Sequence, residues 1–137
     1  MSPLLLDTHA VIWLFEDMPL APKTMSAIEG AHRDGSPLLV SPITAWEIGQ
    51  LVSGNRISLS AMAHRWFARV LATPGMQLAE MSPDILIAAS FLPGTPPRDP
   101  ADRILLATAR DLGATLVTRD RAMLAYGESG QVNTLAC

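Results

Sequence analysis

A chain of 137 residues, 49% of them apolar, is long enough for one domain with a core and too apolar for disorder. It has no apolar run of the roughly eighteen residues a membrane span needs, and Asp7 interrupts an amino-terminal stretch that carries no basic leader, so neither a spanning segment nor a signal peptide is expected. The formal charge of −3, from 10 basic and 13 acidic residues, argues against a simple basic nucleic-acid clamp, although four carboxylates assigned to one cation site would leave −3 + 4 = +1 for the rest.

Cys137 is the only cysteine, so no internal disulfide forms, which fits a reducing cytoplasm. Lys23 is the sole lysine and the other nine basic residues are arginines, which suit planar, bidentate phosphate contacts.

In chain order, "PLLLD" (3–7) reads as a buried strand ending in an acid, and "THAVIWLFED" (8–17) as a helix. Residues 21–35 form a second helix stopped by Gly35, and "SPLLVS" (36–41) a second buried strand. A helix over 42–54 opens on Pro42 and ends at Gly54. An amphipathic helix over 59–72 is broken by Pro74 and Gly75. "MQLAEM" (76–81) reads as a short strand. Ser82 caps a helix over 82–92, with Pro83 at its first position. A proline-rich loop (93–98) leads to a helix over 100–112, stopped by Gly113. A strand over 114–118, a short helix over 119–127 and an edge strand over 131–135 complete the chain.

Strands apolar throughout, alternating with helices, predict a three-layer α/β/α sandwich around a central parallel sheet, with 1–137 as a single domain. Ligands of such sheets bind beyond the carboxyl ends of the strands. Asp7 ends the first strand, and Thr118 and Asp120 follow the "TLV" strand, so both acids belong to that rim.

Two further acids lie on inward faces of helices. Glu47 shares its face with Ile43 and Leu51; Asp102 shares its face with Leu105, Leu106 and Ala109. A lone acid on an apolar stripe is costly to desolvate. Asp99, just before Pro100, fits the N-cap of the 100–112 helix, which leaves Asp102 free for another role or as a mere partner of the helix dipole. If Asp7, Glu47, Asp102 and Asp120 converge, each pair about 4 Å apart repels by ~4 kcal/mol at an effective dielectric of about 20. Either protons stay on or a divalent cation binds, and hard oxygen ligands select Mg²⁺ or Mn²⁺.

The segments "LLLDTHAVIWL", "LLVSPITAWEIGQLV", "RDPADRILLATA" and "GATLVTRDRAMLAY" resemble the PIN-domain ribonucleases, and more narrowly the VapC-type toxins of toxin–antitoxin pairs, from about residue 4 to residue 135. The resemblance implies a Mg²⁺- or Mn²⁺-dependent endoribonuclease, with RNA as substrate and a small antitoxin and a second copy of the chain as partners. By motif it places Asp7, Glu47, Asp102 and Asp120 as catalytic and metal-binding residues. Asp99 is an accessory ligand, a cap or both, and Thr118 orients Asp120 or a water. Where many relatives carry Asn or Ser, this chain has His9. Arg98, Arg103, Arg119 and Arg121 flank the acidic motifs and either hold RNA phosphates or are ordinary solvated charges. His9, His32 and His64 are too dispersed for a zinc site, and Trp13, Trp46 and Trp66 read as packing residues.

Two rivals stand beside this reading. A phosphotransfer protein or aspartyl phosphatase also gathers acids at strand ends, but wants a lysine at the rim. A non-catalytic binding module would use the acids to hold a partner's arginines.

Overall fold

The computed structural model describes residues 2–137; Met1 lies outside the described residues. The elements are β1 (Leu4–Leu6), α1 (Thr8–Phe15), α2 (Pro22–Arg33), β2 (Leu38–Val40), α3 (Pro42–Ser53), α4 (Ala63–Ala72), β3 (Met76–Leu78), α5 (Pro83–Ser90), α6 (Pro100–Leu112), β4 (Thr115–Thr118), α7 (Arg121–Glu128) and β5 (Asn133–Ala136).

The five strands form one parallel sheet in the order β3-β2-β1-β4-β5. Winding proceeds outward from β1 through β2 to β3, then returns to β4 on the other side of β1. The order therefore reverses between β1 and β4, where open α/β sheets leave a crevice at their carboxyl ends.

Successive residues of a strand face opposite sides, and the register aligns them into rows. Leu5 pairs with Leu39 and Leu116, and this row packs under α5, α6 and α7 with Ile85, Leu105, Leu106 and Met123. Leu6 pairs with Val40 and Val117, and this row faces α1 to α4 through Val11, Ile48, Trp66 and Val70. Burial of each such leucine contributes about 1.5–3 kcal/mol. The predicted three-layer sandwich is therefore the observed architecture.

Local chemistry sets the helix starts. Ser41 accepts from the Ile43 N–H, Ser82 from Ile85 and Asp99 from Asp102, and a proline follows each cap as the first helical residue. Gly113 ends α6 in the left-handed conformation, φ 61°. At the end of α3 the left-handed residue is Asn55, φ 56°, while Gly54 keeps φ −84°.

Most boundaries differ from the sequence reading by a few residues, and two show why. Helix α4 begins at Ala63 rather than residue 59, because the Glu16 carboxylate takes both the backbone N–H and the hydroxyl of Ser60, each at 2.8 Å, and holds that stretch outside the helix. Strand β5 runs 133–136 rather than 131–135; its ladder with β4 begins at the Thr115–Asn133 pair.

Helix α7 approaches β5 so closely that a Cβ on Gly127 would stand 2.2 Å from Thr134 Oγ1 and 2.9 Å from Thr134 Cβ. Alanine is the better helix former, yet Gly127→Ala is expected to destabilise the protein by about 1–3 kcal/mol through overpacking. Urea unfolding measures this, and an unchanged or raised midpoint would contradict the close approach.

Candidate active site

The site is assembled at the carboxyl ends of β1 and β4. Asp7 follows β1, and its backbone N–H continues the ladder by donating to the Val117 carbonyl at 2.9 Å. Its carboxylate is buried and held from two sides. The Thr8 N–H donates to Oδ1 and the Thr118 hydroxyl donates to Oδ2, both at 2.7 Å. Thr118, fully buried at the end of β4, also accepts from the Asp120 N–H at 3.0 Å. One hydroxyl thus ties the first acid to the backbone of the fourth. Asp120 caps α7 by accepting from the Met123 N–H at 2.9 Å.

Glu47 comes from the middle of α3. Its Oε1 accepts from the Thr8 hydroxyl at 2.5 Å, and that hydroxyl lies 3.1 Å from the hydroxyl of Thr44. Thr8 has one proton to give and gives it to the carboxylate, so Thr44 is the donor to Thr8. Asp102, the third residue of α6, is half-buried; its backbone N–H donates to Asp99 Oδ1 at 3.0 Å.

Asp7, Glu47, Asp102 and Asp120 line one cavity of roughly 380 Å³, together with His9, Trp13, Arg119 and Met123. Burial pushes the Asp102 pKa from its ordinary 3.8 up to about 7, reinforced by the charges of Asp99, Asp120, Asp7 and Glu47. Burial likewise raises Asp7, against the opposing pull of the Thr118 and Thr8 hydrogen bonds. Glu47 is raised by burial first, then by Asp7 and Asp99, against the Thr8 hydrogen bond and His9.

Among the described residues, none of the four acids accepts a hydrogen bond from an arginine or lysine. The groups bonded to them are hydroxyls and backbone amides. The donors are hard oxygens, which fits Mg²⁺ or Mn²⁺ and not a soft metal. Among the described residues no three His, Cys, Asp or Glu side chains form a group able to hold a metal ion directly. The four acids share a cavity without forming such a group, which fits a cation that keeps several waters.

The other predicted residues divide. Asp99 caps α6, lies outside the cavity lining and acts on Asp102 and Glu47 through its charge. Arg103 turns away: its Nε, Nη1 and Nη2 donate to the backbone oxygens of Ala89, Pro97 and Ser90, clamping the end of α5 and the proline-rich loop. Arg119 lines the cavity, while Arg98 and Arg121 are exposed outside it. His9 lines the cavity; His32 and His64 are exposed elsewhere. Trp66 packs in the core as expected, but Trp46 is 59% exposed, because it shares the outward face of α3 with Gly49 and Gln50, and Trp13 reaches the cavity.

Sequence reasoning overlooked Thr8 and Thr44. The available signal was a threonine directly after a strand-end acid, and another one turn before the glutamate on the same helix face.

A doubly wound parallel sheet with an acidic cavity at its switch point defines the class of protein. The comparisons narrow it: the PIN domain family matches residues 4–128. The chain is 32% identical over 127 residues to Ribonuclease VapC22 of Mycobacterium tuberculosis, covering 92% of this chain and 93% of that protein. Two solved structures share the fold. One is VapBC2 from Rickettsia felis bound to a DNA fragment from their promoter, with a TM-score of 0.67 at 13% identity, covering 98% of each chain. The other is FitAcB from Neisseria gonorrhoeae, with a TM-score of 0.50 at 20% identity, covering 96% of each chain. This chain belongs to the PIN-domain family.

The raised carboxyls predict a pH dependence. Where Asp102 is ionised in the unfolded chain but protonated in the folded one, the folded state binds more protons and stability falls as pH rises. Asp7 and Glu47 act with the same sign. The thermal midpoint of metal-free protein should therefore fall between about pH 4 and about pH 7, and Asp102→Asn should flatten that slope. A midpoint that climbs through this window, with the variant parallel to it, would refute the charge accounting.

Proposed function

We propose that this protein is a divalent-cation-dependent endoribonuclease, the toxin of a VapBC-type toxin–antitoxin pair, acting as one domain over 1–137. The observation that carries the reading is the cavity in which four carboxylates meet without a basic side chain bonded to any of them. Family membership and the ribonuclease name of the 32% identical relative support the choice of RNA.

Asp7 and Asp102 would hold Mg²⁺ or Mn²⁺, with Glu47 and Asp120 reaching it through water. When bound, the cation supplies Lewis acidity toward the phosphodiester and makes water a better nucleophile. The protein's own residues do the rest. Thr118 keeps Asp7 and the Asp120 backbone in one arrangement, and the Thr8 hydroxyl aims Glu47. Glu47, made more basic by burial and by Asp7, accepts the proton that water loses as its oxygen bonds to phosphorus. The ester P–O bond breaks, and the departing ribose oxygen takes a proton from solvent. No Ser, Cys or His nucleophile is needed.

The phosphotransfer alternative lacks its lysine, since Lys23 lies in α2 and outside the cavity lining. The partners this reading requires are RNA, a small antitoxin and a second copy of the chain. Among the described residues no helix is long and apolar enough to cross a membrane. The cytoplasm is the compartment in which such a toxin meets its RNA.

Purified protein should cleave RNA with Mg²⁺ or Mn²⁺ and stop on addition of EDTA. Changing groups that merely orient metal ligands typically costs about 10–100-fold, so Thr118→Val should fall in that range and Asp7→Asn should lose at least about 100-fold. Cleavage that persists in EDTA and in Asp7→Asn would exclude this mechanism.

A further inference from the structure

Arg119 is the one arginine or lysine that lines the acidic cavity among the described residues, yet it bonds none of the four acids. A guanidinium beside four carboxylates would ordinarily fold onto one of them as a bidentate pair. Two contacts hold it elsewhere. Its Cζ lies 3.9 Å from the centroid of the Trp13 ring, a cation–π contact. Its Nε and Nη2 both donate to the backbone oxygen of Cys137, at 3.0 and 2.7 Å. Nη1 makes no hydrogen bond among the described residues and keeps its donors for a ligand.

Trp13 is itself seated. It lies one helical turn after His9, whose ring is 5.7 Å away and tilted by 44°, and it packs against the core cluster under α1 to α4. Its ring is therefore a fixed shelf at the mouth of the cavity.

We propose that Trp13 is a positioning residue that keeps Arg119 apart from the carboxylates, so that the acids stay available to a cation and the guanidinium stays available to an RNA backbone phosphate. The proposal deepens the ribonuclease reading and rests on it for the phosphate. The separation of arginine from acids stands independently, on the ring contact and the two bonds to Cys137. Without the ring, Arg119 is free to pair with Asp7 or Asp120, which removes a cation ligand and the phosphate donor together.

The test uses full-length protein carrying Trp13→Leu, Trp13→Phe, Arg119→Gln, and Trp13→Leu with Arg119→Gln. Calorimetry with Mn²⁺ and no RNA reads the cation. Trp13→Leu should weaken Mn²⁺ binding about two- to fivefold, the size of one exposed cation–π contact. Trp13→Phe should retain wild-type affinity, and the double variant should recover it because the competing arginine is gone. Arg119→Gln alone should bind Mn²⁺ no more weakly than wild type, since it takes a positive charge out of the cavity. With RNA, Arg119→Gln should raise KM while kcat holds, and should make the salt dependence of oligonucleotide binding shallower by about 0.7 in log–log slope, the share of one single-strand phosphate.

Unchanged Mn²⁺ binding in Trp13→Leu, no recovery in the double variant, or weaker binding in Arg119→Gln would each overturn the proposal. If Trp13→Leu does not fold, Arg119→Gln decides: an unaltered KM and salt slope overturn it. Absence of RNA cleavage by the wild type would sink the ribonuclease reading instead, and the Mn²⁺ arm would still test the separation.

Discussion

The structure depends on a concentration of negative charge to which, among the described residues, no basic side chain is hydrogen-bonded. Asp7, Glu47, Asp102 and Asp120 come from four elements and face one cavity, and their compensation is hydroxyl and amide dipoles. Thr118 is the hinge of this arrangement. It is buried at the end of β4, donates to Asp7 and accepts from the Asp120 amide, so the two central strands present their acids as one unit. Burial, and then the repulsion of the neighbouring acids, pushes the Asp102 carboxyl up to about 7. A site of this kind is electrostatically incomplete, which supports the proposal of a divalent cation there.

Three of the acids around the cavity are also structural. Asp7, Asp99 and Asp120 are the N-caps of α1, α6 and α7, each accepting from an amide at its helix start. The positive end of a helix favours a carboxylate there, so what helps the helix begin also helps the charge accumulate. The proposed cation site would therefore draw on capping carboxylates, and a cation there would compete with amides for Asp7 and Asp120.

The arginines show how little net charge says about use. Arg103 is committed to three backbone oxygens at the end of α5, a structural clamp. Arg119 is held flat on Trp13 and tied to Cys137. Both lie next to acids in the sequence, and neither bonds one. The sheet supports this division, since the Leu5 and Leu6 rows fix β1 against β2 and β4 and leave the rim residues no freedom of register.

The layered architecture, the order of elements and the identity of the four acids were all legible along the chain. Apolar runs such as "LLL" and "TLV" cannot face water on either side, proline opens α3, α5 and α6, glycine closes α3 and α6, and an acid on the apolar stripe of a helix is conspicuous. These are local properties, written in spacing. What tertiary structure decided is which groups meet. Thr8 reaching Glu47, Thr118 bridging Asp7 to Asp120, Glu16 delaying the start of α4 and Arg119 lying on Trp13 join residues 39, 111, 44 and 106 positions apart. A hydrogen bond or ring contact of a few ångströms leaves no periodic trace in the sequence; it exists only once the parallel sheet has set the strand ends side by side.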